Sequence, residues 1–203
     1  IVNIGGIANI TVLPANGPCA GFDTGPGNLL VDSWCKKHLG KEYDNNGQWG
    51  AGGSCDTNLL KQLKSHSFFA LPAPKSTGRE TFHQQWLEQQ LSQLPPIDAQ
   101  DIQATLIQFT AETIADEINN LGLMVHELYI CGGGAFNTEL MNRLGAAVTA
   151  TVASTAELGL DPNWVEASAF AWLAKQRLEA GTGNIAAVTG AERETVLGGL
   201  YLP

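Results

Sequence analysis

The sequence predicts a mixed α/β domain built on one five-stranded sheet, and three observations point to it. Short runs rich in Ile and Val or closed by turn residues open the chain at residues 1–4, 8–13 and 19–23. Two further apolar runs, 126–131 and 148–152, each stand between stretches of helical periodicity. A three-strand meander joined to two strands with helical crossovers forms a single mixed sheet with helices on both faces.

The elements follow in order. Gly5-Gly6 joins the first two runs as a tight turn, and Pro14 to Pro18 joins the second to the third. A helix is expected from Asn28 to His38, stopped by Gly40, with Lys36 and Lys37 in its last turn, where the helix dipole favours cations. Residues 41–97 read as a helical insertion: glycine-dense over 47–53, rich in Pro, Ser and Lys over 71–78, and helical around 57–63 and 81–94. After the Leu94-Pro95-Pro96 break, Asp98 opens a long helical run over 102–119. Leu106, Phe109, Ile114 and Ile118 recur there at helical spacing and form a core stripe. The strand at 126–131 ends in Gly132-Gly133-Gly134, a helix is expected over 137–144, and a strand over 148–152. Pro162, beside a capping Asp161, is expected to start a last long helix that reaches Glu179 and closes at Gly181. The apolar, glycine-spaced tail over 184–203 is expected to pack back on the domain. This order is the layout of a ribonuclease-H-like half-domain.

Composition narrows the function. With 203 residues, 44% of them hydrophobic, the chain can bury the core of one domain. A formal net charge of −9 argues against nonspecific binding to nucleic acid or anionic lipid, so the expected partner is a small molecule. No apolar run approaches the roughly 20 residues that span a bilayer, and no signal-peptide pattern opens the chain. The expected location is the cytoplasm. Cys19, Cys35, Cys55 and Cys131 form no C-x-x-C motif, so they read as reduced structural thiols with no metal site. The chain begins inside an apolar run without an initiator Met and reads as a piece of a longer protein.

The motifs carry the chemistry. No G-x-x-x-x-G-K-[ST] loop occurs, and Gly181 to Ala186 matches G-x-G-x-x-A only after a helix, where glycines end the element. Gly5-Gly6 is a plain hairpin turn or a phosphate cradle; Asn3, Asn9 and Thr11 around it offer polar groups that suit a phosphate–metal complex. Asp23, expected at a strand end, either caps the following turn or acts as a general base, with Thr24 and Asn28 orienting substrate hydroxyls. Gly132 to Gly134 is a strand-to-helix turn or bare backbone for a purine and its ribose, with Asn137 as a polar contact. Glu166 and the stretch Lys75-Ser76-Thr77-Gly78-Arg79-Glu80 remain open between a solvated surface and a substrate lip.

Taken in order, the segments 3–11 (NIGGIANIT), 21–28 (GFDTGPGN), 75–80 (KSTGRE) and 131–137 (CGGGAFN) closely resemble the anhydro-N-acetylmuramic acid kinase family. Glu166-Ala167, Ala169 to Leu173 and Val188 to Ala191 extend the resemblance over essentially the whole chain. It implies an actin-like sugar-kinase fold, of which this chain would be the C-terminal domain. The family's first phosphate loop is absent, which implies a missing N-terminal domain and weak nucleotide binding by this chain alone. The resemblance implies ATP and Mg²⁺ as cofactors and Asp23 as catalytic base. It implies phosphate contacts at Asn3, Gly5, Gly6, Asn9 and Thr11, and adenosine contacts at Gly132, Gly133, Gly134 and Asn137. Thr24, Gly25, Pro26, Asn28 and Glu166 would face the sugar. The implied reaction opens the anhydro ring of 1,6-anhydro-N-acetylmuramic acid with water and phosphorylates O6, in cell-wall recycling. An ATP-switched binding module like the actin or chaperone relatives, or an inactive paralogue, would share these motifs, and a homodimer through the insertion is a further expectation.

Overall fold

Alternation along the first strands sets the sheet. In the computed structural model, which describes residues 1–201, Val2 and Ile4 are buried while Asn3 between them is not, and Ala8 and Ile10 are buried while Asn9 and Thr11 are not. That two-residue period gives each strand one apolar and one polar face. The strands are β1 (Val2–Ile4), β2 (Ile7–Val12), β3 (Ala20–Pro26), β4 (Glu127–Cys131) and β5 (Thr151–Ser154), in the order β3-β2-β1-β4-β5. β1, β2 and β3 are antiparallel neighbours, and β4 and β5 run parallel to β1. The expected mixed five-stranded sheet is therefore present.

The helices are α1 (Asn28–Leu39), the short α2 (Gln48–Ala51), α3 (Thr57–Lys64), α4 (Gln84–Leu91), α5 (Ala99–Asn119), α6 (Thr138–Ala147), α7 (Val165–Leu178) and the short α8 (Ala186–Thr189). α1 ends where expected, with Gly40 left-handed and its N–H donating to the Lys36 carbonyl. Asp98 caps α5 by accepting from the Gln100 N–H. Ile102, Leu106, Phe109, Ile114 and Ile118 lie in one core with Ile4, Ile10 and Ile130 of the sheet. Polar side chains of α5 are buried too: the Thr110 hydroxyl donates to the Gly27 carbonyl at 2.9 Å, which fixes α5 over the entrance to α1.

The insertion is continuous with this core. Leu59, Leu63, Phe68, Phe82, Trp86 and Leu87 belong to it, and Phe69 meets Phe109 of α5 edge to face at 5.5 Å. α4 is shorter than the periodicity predicts, because residues 81–83 form a turn and His83, through its ring nitrogen, caps the Trp86 N–H.

Four further boundaries differ from the sequence expectation. β3 does not end at Asp23: it continues to Pro26, because a bulge at Thr24 lets Asp23 pair with Asn9 and Gly25 with Ala8. α6 runs on to Ala147, which delays β5 to Thr151. α7 begins at Val165, because the Asp161 carboxylate accepts from the Asn163 N–H and closes a turn there. Pro162 in that turn is buried, and its carbonyl accepts from the Gly132 N–H at 3.1 Å. The tail is described to Tyr201; the expectation for its last residues, Leu202 and Pro203, falls outside the described residues.

α7 has no buried residue: Trp164 (63% exposed), just before it, and Phe170 (64%), within it, stand in solvent. With α8 it borders the polar face of the sheet, opposite the face packed by α1, α5 and α6. Across β4, Gly132 adopts φ 77° and ψ −177°, a conformation all but confined to glycine. A Cβ there would also press on the Ile4 carbonyl at 2.8 Å. Gly132→Ala is expected to lower the unfolding free energy by about 1–3 kcal/mol. Gly145→Ala, in α6 with open space around it, is expected to raise it by about 0.5–1 kcal/mol. Urea denaturation of both variants measures the contrast.

Candidate active site

Register builds the site. Asp23 of β3 pairs with Asn9 of β2, Asn9 with Asn3 of β1, and Asn3 with Cys131 of β4. Paired residues point to the same side of a sheet, so these four form one row across its polar face. Asn3 and Cys131 are in contact, with Cys131 Sγ 3.8 Å from Asn3 Oδ1, and burial pushes the Cys131 thiol pKa up.

Asp23 is half-buried and held by the segment that follows the insertion's aromatic cluster. Its Oδ2 accepts from Ser76 Oγ at 2.9 Å and from the Thr77 N–H at 2.8 Å, and its own N–H donates to the Lys75 carbonyl at 3.0 Å. Oδ1 accepts no hydrogen bond among the described residues. Lys75 anchors this loop: its ammonium pairs with Glu117 of α5 at 2.6 Å, with the two side chains only 3% and 17% exposed, and lies 4.8 Å from the centre of the Phe68 ring. Removing one partner of so buried a pair would leave the other charge uncompensated.

The Gly5-Gly6 turn is tied to the start of α1. Gly5 accepts from the Asn28 N–H at 2.8 Å, and Gly6 accepts from Gly27 at 2.9 Å and Leu29 at 3.2 Å. The carbonyls of the turn are thereby engaged, and neither of its N–H groups donates to a backbone acceptor outside the strand ladders. Gly27 permits this approach, since a Cβ there would collide with the Gly5 carbonyl.

Two cavities lie on the polar face, and a third, beside the start of α1, shares walls with one of them. One of about 550 Å³ is lined by Asp23, Ser76 and Thr189, among others. Asn9 and Thr11 separate it from a second, of about 410 Å³, which also holds Asn3, Gly5, Gly132 and Glu166. Gly133 and Asn163 lead from there to a third, of about 520 Å³, lined by Asn28, Asp32, Tyr43, Phe136 and Asn137. Each has a size typical of small-molecule sites. Together they make a trough from an acid at one end to an aromatic and amide-lined chamber at the other.

The structure thus brings most of the expected residues together, though not in the expected groups. Asn3, Gly5, Asn9, Thr11, Gly132 and Gly133 share the middle cavity, and Glu166 joins them there instead of Asp23. Thr24 is fully buried and its hydroxyl donates to the Ala8 carbonyl at 3.3 Å. Gly25 and Pro26 are buried beneath Phe69 and Thr110. Of the segment 23–28, only Asp23 lines the acid-end cavity. Asn28 faces the far chamber and donates to the Ile4 carbonyl at 3.2 Å. Asn137 accepts from the Leu140 N–H as a helix cap and also lines the far chamber. Gly6 and Gly134 line none of the three, and Gly134 packs on the Ile4 side chain.

Sequence reading missed Asp32 and Asp44. Asp32 lies one helical turn after Asn28, a spacing that puts both on one face of α1 and was available as a signal. Burial, aided by the nearby Asp44 charge, pushes the Asp32 carboxyl up to about 6. Asp44 is buried but satisfied, accepting from the Trp49 and Gly50 N–H groups at 2.9 Å each.

Comparison with known proteins fits this geometry. A family model described as "Anhydro-N-acetylmuramic acid kinase" matches residues 1–203. A curated protein of that name from Shewanella loihica is 55% identical over 203 residues, 99% of this chain and 55% of that protein. Those from Shewanella sp. MR-4 and Shewanella sediminis are 53% and 51% identical over the same shares. The chain spans about half the length of the curated relatives it matches. With the family match running from end to end and these relatives more than half identical, the chain belongs to the anhydro-N-acetylmuramic acid kinase family.

Proposed function

We propose that this chain supplies half of the active site of a cytoplasmic kinase that opens 1,6-anhydro-N-acetylmuramic acid with water and phosphorylates its O6 from ATP. The observation that carries this reading is the placement of Asp23: one carboxylate oxygen is fixed by Ser76 and Thr77, and the side chain lines a cavity on the same sheet face as the Gly5-Gly6 turn. A base so held can work without reorganising. Water gives its proton to Asp23 as its oxygen bonds to the anomeric carbon. The bond from that carbon to O6 breaks, and O6 takes the γ-phosphoryl group as ADP leaves. The two bond-breaking events share one site, with Asp23 serving the water and backbone amides stabilising charge on the phosphoryl group.

The nucleotide would lie along the trough with its phosphates in the middle cavity and its purine between Phe136 and the Gly133 backbone. Asp32, which has no hydrogen-bond partner among the described residues, would accept from ribose hydroxyls. Glu166, in the middle cavity, would orient the sugar at the point where O6 meets the phosphate. Among the described residues no group of three or more His, Cys, Asp or Glu is placed to hold a metal ion. Mg²⁺ carried by the ATP phosphates would neutralise their charge, as such ions commonly keep waters and lean on substrate oxygens. The exposed apolar surface of α7 suits burial by the rest of a protein of the relatives' length. Among the described residues no helix is long and apolar enough to cross a membrane.

Two measurements test this account. In the complete protein, Asp23→Asn is expected to lower phosphorylation of the anhydro sugar by about 10²–10⁴-fold while ATP still binds. Unchanged turnover would remove Asp23 from the mechanism, and ADP release independent of the sugar would favour an ATP-switched module. For Asp32, the folded value of about 6 exceeds the ordinary 3.8, so its contribution to stability is present below pH 4 and lost as pH rises through 6. Asp32→Asn is therefore expected to raise the melting temperature at pH 7, with the gain vanishing near pH 4. A gain that is equal at both pH values would contradict the assignment.

A further inference from the structure

The tail of the chain forms part of the wall around Asp23. Beyond α7, residues 183–195 make a compact loop tied at its neck. The Gly183 N–H donates to the Thr195 carbonyl at 3.0 Å, the Thr195 N–H donates to Asn184 Oδ1 at 2.7 Å, and Asn184 Nδ2 donates to the Arg193 carbonyl at 3.2 Å. α8 lies between these ties and is ended by Gly190, whose N–H donates to the Ala186 carbonyl. A loop whose ends meet in this way presents its tip as a formed unit.

That tip rests on β3. Val188 is half-buried while Thr189 and Gly190 beside it are exposed. A Cβ placed on Gly21 would lie 3.1 Å from Val188 Cγ1 and 3.2 Å from the Ile10 carbonyl, both closer than ordinary van der Waals contact. The absent side chain at Gly21 therefore leaves the space in which Val188 sits. Val188, Thr189 and Gly190 all line the cavity that holds Asp23. Three polar side chains of that cavity are already paired: Lys75 with Glu117, the Ser76 hydroxyl with Asp23, and the Thr189 hydroxyl with the Ile185 carbonyl at 3.1 Å. Pro74 and Val188, both apolar, line it as well. Paired polar groups interleaved with apolar ones hold a short hydrocarbon branch better than one more hydroxyl, which would be buried without a partner.

We propose that Val188, seated by Gly21, is a specificity-determining residue of the acid-end cavity, where it packs against a short methyl-ended branch of the sugar. This rests on the kinase reading and deepens it. The anhydro sugar carries two branches of that chemistry, the acetyl group on its nitrogen and the lactyl ether. Val188 touches one of them, and Gly21 is a positioning residue that acts through Val188.

The test uses the complete protein as wild type, Val188→Ala, Gly21→Ala and the double variant. Calorimetric titration measures the affinity of each for the anhydro sugar, for its analogue without the acetyl group and for its analogue without the lactyl group; KM and kcat are measured on the parent sugar. Val188→Ala is expected to weaken binding of the parent sugar and raise its KM about 3–10-fold, with kcat within twofold of wild type. The analogue that lacks the contacted branch is expected to bind wild type and Val188→Ala equally, which tells acetyl from lactyl. Gly21→Ala is expected to weaken the parent sugar too, but by less than twofold once Val188 is Ala, because the Cγ1 it would meet is gone. Parent affinity within twofold of wild type in Val188→Ala, or an equal loss for all three sugars, would overturn the proposal; a Gly21→Ala loss that adds in full to that of Val188→Ala would overturn the seating. The kinase reading is judged separately. A wild type that binds the sugar with the Val188 dependence yet transfers no phosphate refutes that reading alone, and one that neither binds nor phosphorylates the sugar refutes both.

Discussion

The register of β3, β2, β1 and β4 is the constraint on which the rest of the structure depends. Asp23, Asn9, Asn3 and Cys131 face one way only because Ile10, Ala8, Val2 and Ile130 face the other and are buried against the helical layer. A slip of one residue would turn the polar row into the core and expose the apolar one, so burial of the Ile and Val side chains also fixes the chemistry of the opposite face. The bulge at Thr24 is part of this constraint. It absorbs one residue so that Asp23 remains in the row while Gly25 returns to the buried side beside Ala8.

α5 acts as the second frame. Its middle holds the entrance to α1 through Thr110, and near its C-terminal end Glu117 anchors the loop that grips Asp23. The same helix is packed by the aromatic cluster of the insertion, so the segment that looks like an addition in the sequence is what brings residues 75–79 to the sheet. Precision at the acid thus comes from a hydrophobic helix and a buried ion pair whose Lys75 lies in the wall of the acid-end cavity.

Much of this was legible in the sequence because it rests on local pattern. Ile/Val alternation marked the first strands, Gly40 and Asp98 marked helix ends, and the apolar stripe of α5 marked the core. What was not legible depends on residues distant in the chain. Thr24 is a plausible substrate hydroxyl until Ala8 supplies its acceptor, and Asn28 sits beside Asp23 in sequence but reports to the opposite end of the trough once α1 turns away. The same holds for the helix boundary at Val165, which follows from a turn bonded to Gly132 across the sheet. The tail was expected to return to the domain, but that Val188 would land on Gly21 could not be read, since it depends on where the far end of the chain meets β3.

The central claim is that the acid and the glycine turn belong to one site on one sheet face. A crystal structure of the complete protein with a non-hydrolysable ATP analogue and the anhydro sugar tests it most directly. The account predicts terminal phosphates at the Gly5-Gly6 amides, the purine in the chamber of Phe136, and a water bridging Asp23 to the anomeric carbon at about 3 Å. A nucleotide seated away from this trough, or a sugar whose anomeric carbon lies beyond reach of Asp23 through one water, would contradict it.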